Sequence, residues 1–230
     1  MHHQTLTPPN WVYSPPMFTE FCSLPVSLKI CGITSPRDAK LLADLGIEAL
    51  GVNFWPPSKR YCPPELAEEF LRPLKAKILR VGVFVNNAIP LADELVEKDL
   101  IDVVQLHGDE TDDDIRHFLD KGIPVIRAVS AENLPTSELP SENFALLIDT
   151  PAGKDYGGTG KTFDWALAKD FIASHPGLPV ILAGGLNTKN AVEAIEAVQP
   201  TAIDVASGAE SSPGIKDSTK VRALLDCLTS

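Results

Sequence analysis

The stretch Leu28-Lys29-Ile30-Cys31-Gly32-Ile33-Thr34 contains a short apolar run that ends at a cysteine and turns at a glycine. A helix-like segment follows from Pro36, so the local pattern predicts a strand, a turn and a helix. Because successive side chains of a strand alternate between its faces, Lys29 and Cys31 share one face. A cation beside a thiol favours the thiolate, which can act as a base or a nucleophile. The alternative is that Cys31 is a small buried hydrophobic residue.

The same alternation of short apolar runs and amphipathic segments repeats from residue 27 to the C-terminus. Strands are predicted at residues 27–31, 48–54, 78–85, 102–106, 123–129, 144–149, 178–182 and 201–205. Helices are predicted near residues 36–45, 64–72, 89–98, 111–120, 132–138, 163–173, 188–198 and 216–228. In the fifth helix, Pro135 and Pro140 leave little room for helical hydrogen bonds. These eight units favour an α/β fold of the (β/α)8 TIM-barrel type in a single domain.

Residues 1–26 show no apolar periodicity, and prolines stand at positions 8, 9, 15, 16 and 25. The segment contains no Lys or Arg, which argues against an organellar transit peptide. We therefore expect residues 1–26 to form an N-terminal extension and residues 27–230 to form the barrel domain.

Composition restricts the partners that we expect. The chain has 20 Lys and Arg against 31 Asp and Glu, a net charge of -11, which disfavours nucleic acid and anionic membranes as partners. No apolar stretch approaches the roughly 18 residues of a membrane span. The four cysteines form no CxxC pair, so neither a disulfide framework nor a metal site is expected. These features fit a cytoplasmic protein with a small-molecule partner, as a monomer or homodimer.

In a (β/α)8 barrel the active site is built by loops at the C-terminal ends of the strands. Polar and glycine-rich clusters do follow the predicted strands, and two of them are Gly184-Gly185 and Ser207-Gly208. Glycines let backbone N–H groups approach an anion closely, and the loops after strands seven and eight often bind phosphate. Each pair alone is also compatible with an ordinary turn. Together, in adjacent loops, they predict a phosphorylated ligand.

Asp149 ends the predicted sixth strand, at the rim of the hydrophobic core. Burial there would favour the protonated carboxyl, so Asp149 is a candidate general acid. A loop or helix-cap carboxylate is the alternative. With Cys31 after strand one, Asp149 would give an acid and a base facing each other across the barrel mouth. Such a pair can move protons without a cofactor.

Four further side chains are candidates for the pocket. Arg60, which follows strand two, has the geometry to bind a substrate carboxylate with two hydrogen bonds, although a solvated surface charge is equally compatible with the sequence. Gln105 and His107 share a strand face and are candidate pocket residues, although a single His is more often structural. Asp204 ends strand eight, and we expect it to pair with Lys29 inside the barrel.

Glycines also follow strand six, in the segment Gly157-Gly158-Thr159-Gly160-Lys161-Thr162. A phosphate-binding P-loop needs a glycine where this chain has Asp155, and it needs that glycine directly after a strand. The segment is therefore interpreted as a mobile loop that can close over a bound ligand.

Taken together, the motifs resemble those of a known enzyme family. They are Lys29-Ile30-Cys31-Gly32-Ile33-Thr34, Ser58-Lys59-Arg60, Gln105-Leu106-His107-Gly108, Gly157 to Trp165, Leu182-Ala183-Gly184-Gly185-Leu186 and Ser207-Gly208 through Pro213-Gly214-Ile215-Lys216-Asp217. From about residue 27 onward, in the same order, the chain resembles the phosphoribosylanthranilate isomerases of tryptophan biosynthesis, which are (β/α)8 enzymes.

The resemblance implies an Amadori rearrangement of N-(5-phosphoribosyl)anthranilate to 1-(2-carboxyphenylamino)-1-deoxyribulose 5-phosphate, without a cofactor. It also implies roles for individual residues. Asp149 would protonate the ribose ring oxygen, and Cys31 would remove the C2 proton. Arg60 would hold the anthranilate carboxylate, and the two glycine loops would hold the phosphate.

The chain departs from the family pattern at Ala206, where the family usually has a serine beside the phosphate loop. We expect altered phosphate contacts and intact activity. Two other functions are compatible with parts of the pattern. A related phosphate-binding barrel enzyme would lack the pairing of Cys31 with Asp149, and a non-catalytic phosphosugar-binding barrel would lack either the acid or the base.

Overall fold

A computed structural model describes residues 15–23, 26–86, 88–150 and 164–228. Eight parallel strands pair in chain order, and the eighth pairs with the first, so the sheet is a closed barrel. The strands are β1 (Ser27–Cys31), β2 (Ala49–Asn53), β3 (Leu79–Phe84), β4 (Val103–Leu106), β5 (Val125–Ser130), β6 (Phe144–Asp149), β7 (Val180–Leu182) and β8 (Ala202–Val205). The predicted (β/α)8 fold is confirmed.

Helices join most of the strands, and a short hairpin follows β8. The helices are α1 (Pro15–Phe21), α2 (Pro36–Asp44), α3 (Pro64–Leu71), α4 (Ile89–Glu97), α5 (Asp112–Leu119), α6 (Trp165–Ser174), α7 (Ala191–Val198) and α8 (Ser218–Asp226). The hairpin strands are β9 (Glu210–Ser212) and β10 (Ile215–Lys216), which pair antiparallel. In the described part of the chain, every helix is too short or too polar to cross a bilayer.

Strand alternation divides the core into two clusters. In β1, Leu28 and Ile30 face outward into the large cluster between barrel and helices, whereas Ser27 and Lys29 face inward. The smaller cluster fills the barrel interior. It consists of Phe18, Phe21, Ala49, Leu79, Val81, Val103, Ile126, Ala128, Ala145, Leu147, Ile181, Ala183 and Ala202.

The helix predicted at residues 132–138 is wrong. Residues 131–143, all of which are described, form turns and irregular backbone between β5 and β6. Pro135 and Pro140 remove two N–H donors, and each disfavours helical backbone in the residue before it. The chain therefore returns to the start of β6 without a helix, and β5 still pairs with β6 over its full length.

The C-terminal prediction is partly wrong as well. Residue 216, predicted to begin the last helix, belongs to β10, and α8 begins at Ser218 with Asp217 as its N-cap. Asp217 accepts hydrogen bonds from the N–H groups of Thr219 and Lys220, which fixes that boundary. Helix α8 begins later than predicted because the β9–β10 hairpin includes residue 216.

Part of the predicted extension packs into the barrel. Helix α1 places Phe18 and Phe21 in the interior cluster, with both side chains buried. The Ser27 hydroxyl donates to the Phe21 carbonyl oxygen at 2.7 Å, which joins the end of the helix to the start of β1. Helix α1 therefore covers the N-terminal end of the barrel, opposite the end where the strands carry their polar side chains.

Substitution of Phe21 by alanine is expected to lower the free energy of unfolding by about 3–5 kcal/mol, because it leaves a cavity in the barrel interior. The matched control is Glu20→Ala on the exposed side of the same helix, which should change stability by less than about 0.5 kcal/mol. Urea denaturation of both variants measures the difference. Equal stability of the two variants would show that α1 is not part of the core.

Candidate active site

The two predicted reactive side chains lie at the same end of the barrel. Cys31 is the last residue of β1, on the inward face that it shares with Lys29. Asp149 is the last residue of β6, on the face that it shares with the interior residues Ala145 and Leu147. Since all eight strands are parallel, their C-terminal ends form one mouth. The sulfur and the carboxyl group therefore face the same opening.

The thiol of Cys31 lies beside the ammonium group of Lys29. A Cβ atom added to Gly51, the neighbour of Cys31 in β2, would lie 2.8 Å from Cys31 Sγ and 3.0 Å from Lys29 Nζ. Burial raises the pKa of the Cys31 thiol, and the Lys29 charge opposes that rise. The buried thiol of Cys62 has no such counter-charge, and burial raises its pKa to about 11. Cys31 is thus a half-buried thiol placed next to a cation.

The predicted pairing of Lys29 with Asp204 is confirmed. Lys29 is fully buried, and its Nζ lies 2.9 Å from Asp204 Oδ1 across the β1–β8 pairing. The two atoms are close without hydrogen-bond alignment, so the contact is an ion pair. Asp204 and Cys31 both raise the pKa of Lys29 against the effect of its burial, which keeps the ammonium charged beside the thiol.

Removal of the Lys29 charge is expected to destabilise the protein. Lys29→Met leaves the Asp204 carboxylate buried without a partner and should lower the free energy of unfolding by about 3–5 kcal/mol. The double variant Lys29→Met with Asp204→Asn should recover most of that loss, as measured by urea denaturation. A single variant as stable as wild type would contradict the ion pair's role.

Hydrogen bonds fix the carboxyl group of Asp149. Its Oδ1 accepts from the Thr150 N–H at 2.7 Å, and its Oδ2 lies 3.5 Å from His107 Nε2. Gly184 packs against this carboxyl group with a φ of +85°, and a Cβ there would lie 3.0 Å from Asp149 Oδ1. Only a glycine fits at that position, where the loop after β7 touches the end of β6.

Gln105 and His107 join Asp149 in one chain of contacts. Gln105 Nε2 lies 2.8 Å from His107 Nδ1. Because an amide nitrogen only donates, Nδ1 is the acceptor in this contact, which leaves Nε2 as the N–H group that faces Asp149. The Gln105 side chain is buried, and its Oε1 atom has no hydrogen-bond partner among the described residues. The predicted pocket residues Gln105 and His107 are thus brought together with the candidate acid.

The two predicted phosphate loops are neighbours in space. Asn187, after the Gly184-Gly185 pair, forms a parallel bridge with Gly208. The Gly185 carbonyl oxygen accepts from Asn187 Nδ2 at 2.9 Å and from Asn190 Nδ2 at 3.2 Å, which fixes the loop ahead of α7. The helix predicted near residues 188–198 begins instead at Ala191, with Asn190 as N-cap.

Arg60 has a partner that the sequence analysis missed. Its Nε and Nη2 atoms each donate to a different carboxylate oxygen of Glu210 at 2.8 Å. Burial raises the pKa of Glu210, but the hydrogen bonds from Arg60 and the charge of Lys216 bring it below its usual value. The Arg60 stem packs over Gly32, directly after Cys31. Arg60 therefore lies beside the thiol in a fixed orientation.

Some predicted features lie outside the described residues. The glycine-rich segment from Gly157 to Thr162, predicted to be a mobile loop, is one of them. Among the residues that are described, no three His, Cys, Asp or Glu side chains group in the way a metal ion requires. All four cysteines are free thiols.

The architecture, with ionisable side chains at the C-terminal mouth, places the chain among the (β/α)8-barrel enzymes. Residues 28–227 match the family model described as N-(5'phosphoribosyl)anthranilate (PRA) isomerase. The chain belongs to this family. Helix α1 lies outside the matched residues.

Individual relatives agree with the family match. An N-(5'-phosphoribosyl)anthranilate isomerase of Syntrophus aciditrophicus is 45% identical over 200 residues, 86% of this chain and 85% of the relative. One of Geobacter metallireducens is 43% identical over 206 residues, 87% of this chain and 97% of the relative.

Solved structures give the same result. A phosphoribosyl anthranilate isomerase from Thermus thermophilus superposes with a TM-score of 0.77 at 36% identity, covering 89% of this chain and 98% of that one. A second isomerase structure, described as a complex with reduced 1-(o-carboxyphenylamino)-1-deoxyribulose 5-phosphate, has a TM-score of 0.72 at 32% identity with the same coverage. A Thermotoga maritima structure, described as mutually generated monomers of the dimeric isomerase, has a TM-score of 0.73 at 32% identity, covering 89% of this chain and 98% of that one.

Proposed function

We propose that this protein catalyses the Amadori rearrangement of N-(5'-phosphoribosyl)anthranilate in tryptophan biosynthesis, with Asp149 as general acid and Cys31 as general base. The observation that carries the proposal is the placement of both side chains on inward faces at one barrel mouth. The family match supports the reaction, and residues 27–230 would form the catalytic domain.

The first step is ring opening. The protonated Asp149 gives its proton to the ribose ring oxygen, the bond between that oxygen and C1 breaks, and the nitrogen lone pair forms an iminium with C1. Since Oδ1 of Asp149 is held by the Thr150 N–H, the transferred proton would be carried on Oδ2. The His107 Nε2–H faces Oδ2 and would stabilise the carboxylate that remains.

The second step is proton abstraction. The Cys31 thiolate removes the proton from C2, and the C2–H electron pair forms a C1–C2 double bond while the iminium nitrogen is neutralised. The enolamine formed in this way tautomerises to the ketone product. Lys29 stabilises the thiolate in this half-buried position, because its charge opposes the rise in the thiol pKa that burial causes.

The remaining polar groups would bind the substrate. Arg60, beside Gly32, would hold the anthranilate carboxylate, and the loops of Gly184-Gly185 and Ser207-Gly208 would hold the phosphate. The Gln105 Oε1 atom would accept a hydrogen bond from a ribose hydroxyl, which would satisfy an acceptor that has no partner among the described residues. Asp204 would shape the same pocket through Lys29.

The test is a fluorescence assay with purified protein, which follows the loss of phosphoribosylanthranilate. We expect turnover without any added cofactor. Binding of the reduced product analogue without turnover would overturn the proposal in favour of a phosphosugar-binding barrel. If the protein neither binds the analogue nor converts phosphoribosylanthranilate, the proposed substrate would be wrong as well.

A further inference from the structure

Two buried charged residues of the β9–β10 hairpin have no part in the reaction proposed above. Glu210 begins β9 and Lys216 ends β10, and both side chains are almost completely buried. Lys216 Nζ lies 2.8 Å from Glu210 Oε1. Removing two charges from water is costly, and a buried ion pair is weak evidence for a gain in stability. The role of this pair therefore depends on the other groups that it contacts.

Lys216 joins the ends of two strands. Its ammonium group donates to the carbonyl oxygen of Cys31 at 2.6 Å and to that of Ala206 at 3.3 Å, in addition to the Glu210 carboxylate. The three donors of the ammonium thus have three acceptors. One acceptor belongs to the candidate base at the end of β1, and one belongs to the residue directly before the predicted phosphate loop.

Glu210 joins the same point to Arg60. Its two carboxylate oxygens accept from Arg60 Nε and Nη2, and Oε1 also accepts from the Gly214 N–H at 3.2 Å. A two-fold contact of this kind fixes the plane of the guanidinium. The Glu210 carboxylate therefore contacts both Arg60 and Lys216. Because Lys216 also donates to the Cys31 carbonyl oxygen, these contacts connect Arg60 to the backbone of Cys31.

We infer that the Glu210–Lys216 pair positions the base Cys31 and the carboxylate-binding Arg60 relative to each other before substrate binds. The inference rests on the proposed function. Neither residue needs to touch the substrate, because each acts through the group that it holds. A misplacement of reacting groups by about 1 Å can cost a factor of roughly 10² in rate. Small displacements of Cys31 or Arg60 should therefore be measurable in the kinetics.

The two halves of the pair are expected to have different kinetic effects. Lys216→Met removes the contact to the Cys31 carbonyl and a cation near the thiol, so kcat should fall roughly 10–100-fold with KM little changed. The rise of kcat/KM with pH should also move to higher pH, because the charge of Lys216 lowers the pKa of the Cys31 thiol and is lost in this variant. Glu210→Gln loosens Arg60 instead, so KM should rise about tenfold with a smaller change in kcat.

The control and the double variant separate positioning from stability. Ile215→Thr changes an exposed side chain on the same hairpin and should keep wild-type kinetics. The double variant Glu210→Gln with Lys216→Met leaves no unpaired charge on the hairpin, and the Arg60 guanidinium, which loses its carboxylate partner, keeps 15% of its side-chain surface exposed to solvent. It should therefore fold even where a single variant does not. We expect it to retain both kinetic defects at wild-type stability.

The decisive measurement is the steady-state kinetics of the four variants as a function of pH, beside urea denaturation. Persistence of the kcat and KM defects in the stable double variant supports positioning. Wild-type kinetics in that variant, or losses that follow only the folded fraction, would overturn the inference while leaving the proposed function intact. Failure of the wild-type protein to convert phosphoribosylanthranilate would instead overturn the proposed function.

Discussion

Replacement of Cys31 by alanine is expected to lower kcat by about 10²–10⁴-fold, because it removes the group that takes the C2 proton. The reduced product analogue should still bind with nearly unchanged affinity, because the phosphate loops and Arg60 remain. Cys31→Ser should be almost as inactive, since a hydroxyl is far harder to ionise than a thiol. Steady-state kinetics and analogue titration provide the two measurements.

The control for this prediction is Cys227→Ser, which changes a thiol at the end of α8 and should leave activity unchanged. A pH profile adds an independent check. Burial raises the pKa of Cys31 above its usual value near 9, so kcat/KM of the wild type should increase as the pH rises through and beyond that region. Turnover of Cys31→Ala at the wild-type rate would exclude the thiol as the base.

Asp149→Asn should have an effect of similar size, a fall in kcat of about 10²–10⁴-fold, because the amide keeps the shape of the carboxyl group but supplies no proton. Analogue binding should again be preserved. At each pH at which the protein is folded, kcat of the variant should stay below that of the wild type, because an amide cannot supply the missing proton. Measurement of kcat from mildly acidic to mildly alkaline pH tests this.

The matched control is Asp109→Asn, an acid that lies near the mouth loop after β4 but has no part in the proposed mechanism. It should retain activity within about threefold of wild type. Equal losses in Asp109→Asn and Asp149→Asn would mean that the charge of the mouth, and not a specific acid, controls the rate.

The barrel was predictable because its information is local. Each strand is a short apolar run followed by polar or glycine residues, and strand periodicity assigns each residue to a face. That is why Lys29 and Asp204 could be paired from sequence. They lie on inward faces of strands that become neighbours when an eight-stranded sheet closes, and the structure places them 2.9 Å apart.

The remaining features depend on contacts that sequence periodicity does not encode. Arg60 and Glu210 are 150 positions apart and meet only because the hairpin after β8 folds back over the loop after β2. Phe18 and Phe21 belong to a helix of one or two turns, too short for a periodic signal, whose burial comes entirely from the barrel interior. The helix predicted at residues 132–138 is wrong for a local reason. Pro135 has no N–H to donate and disfavours helical backbone in the residue before it, so the segment does not form a helix.

The most direct test of the acid–base assignment is a crystal structure of this protein with the reduced product analogue. We predict that Cys31 Sγ lies within about 4 Å of C2, and that an Asp149 oxygen lies within about 3.2 Å of the hydroxyl derived from the ribose ring oxygen. A complex in which either side chain points away from the ligand, or in which another residue occupies its place, would contradict the assignment.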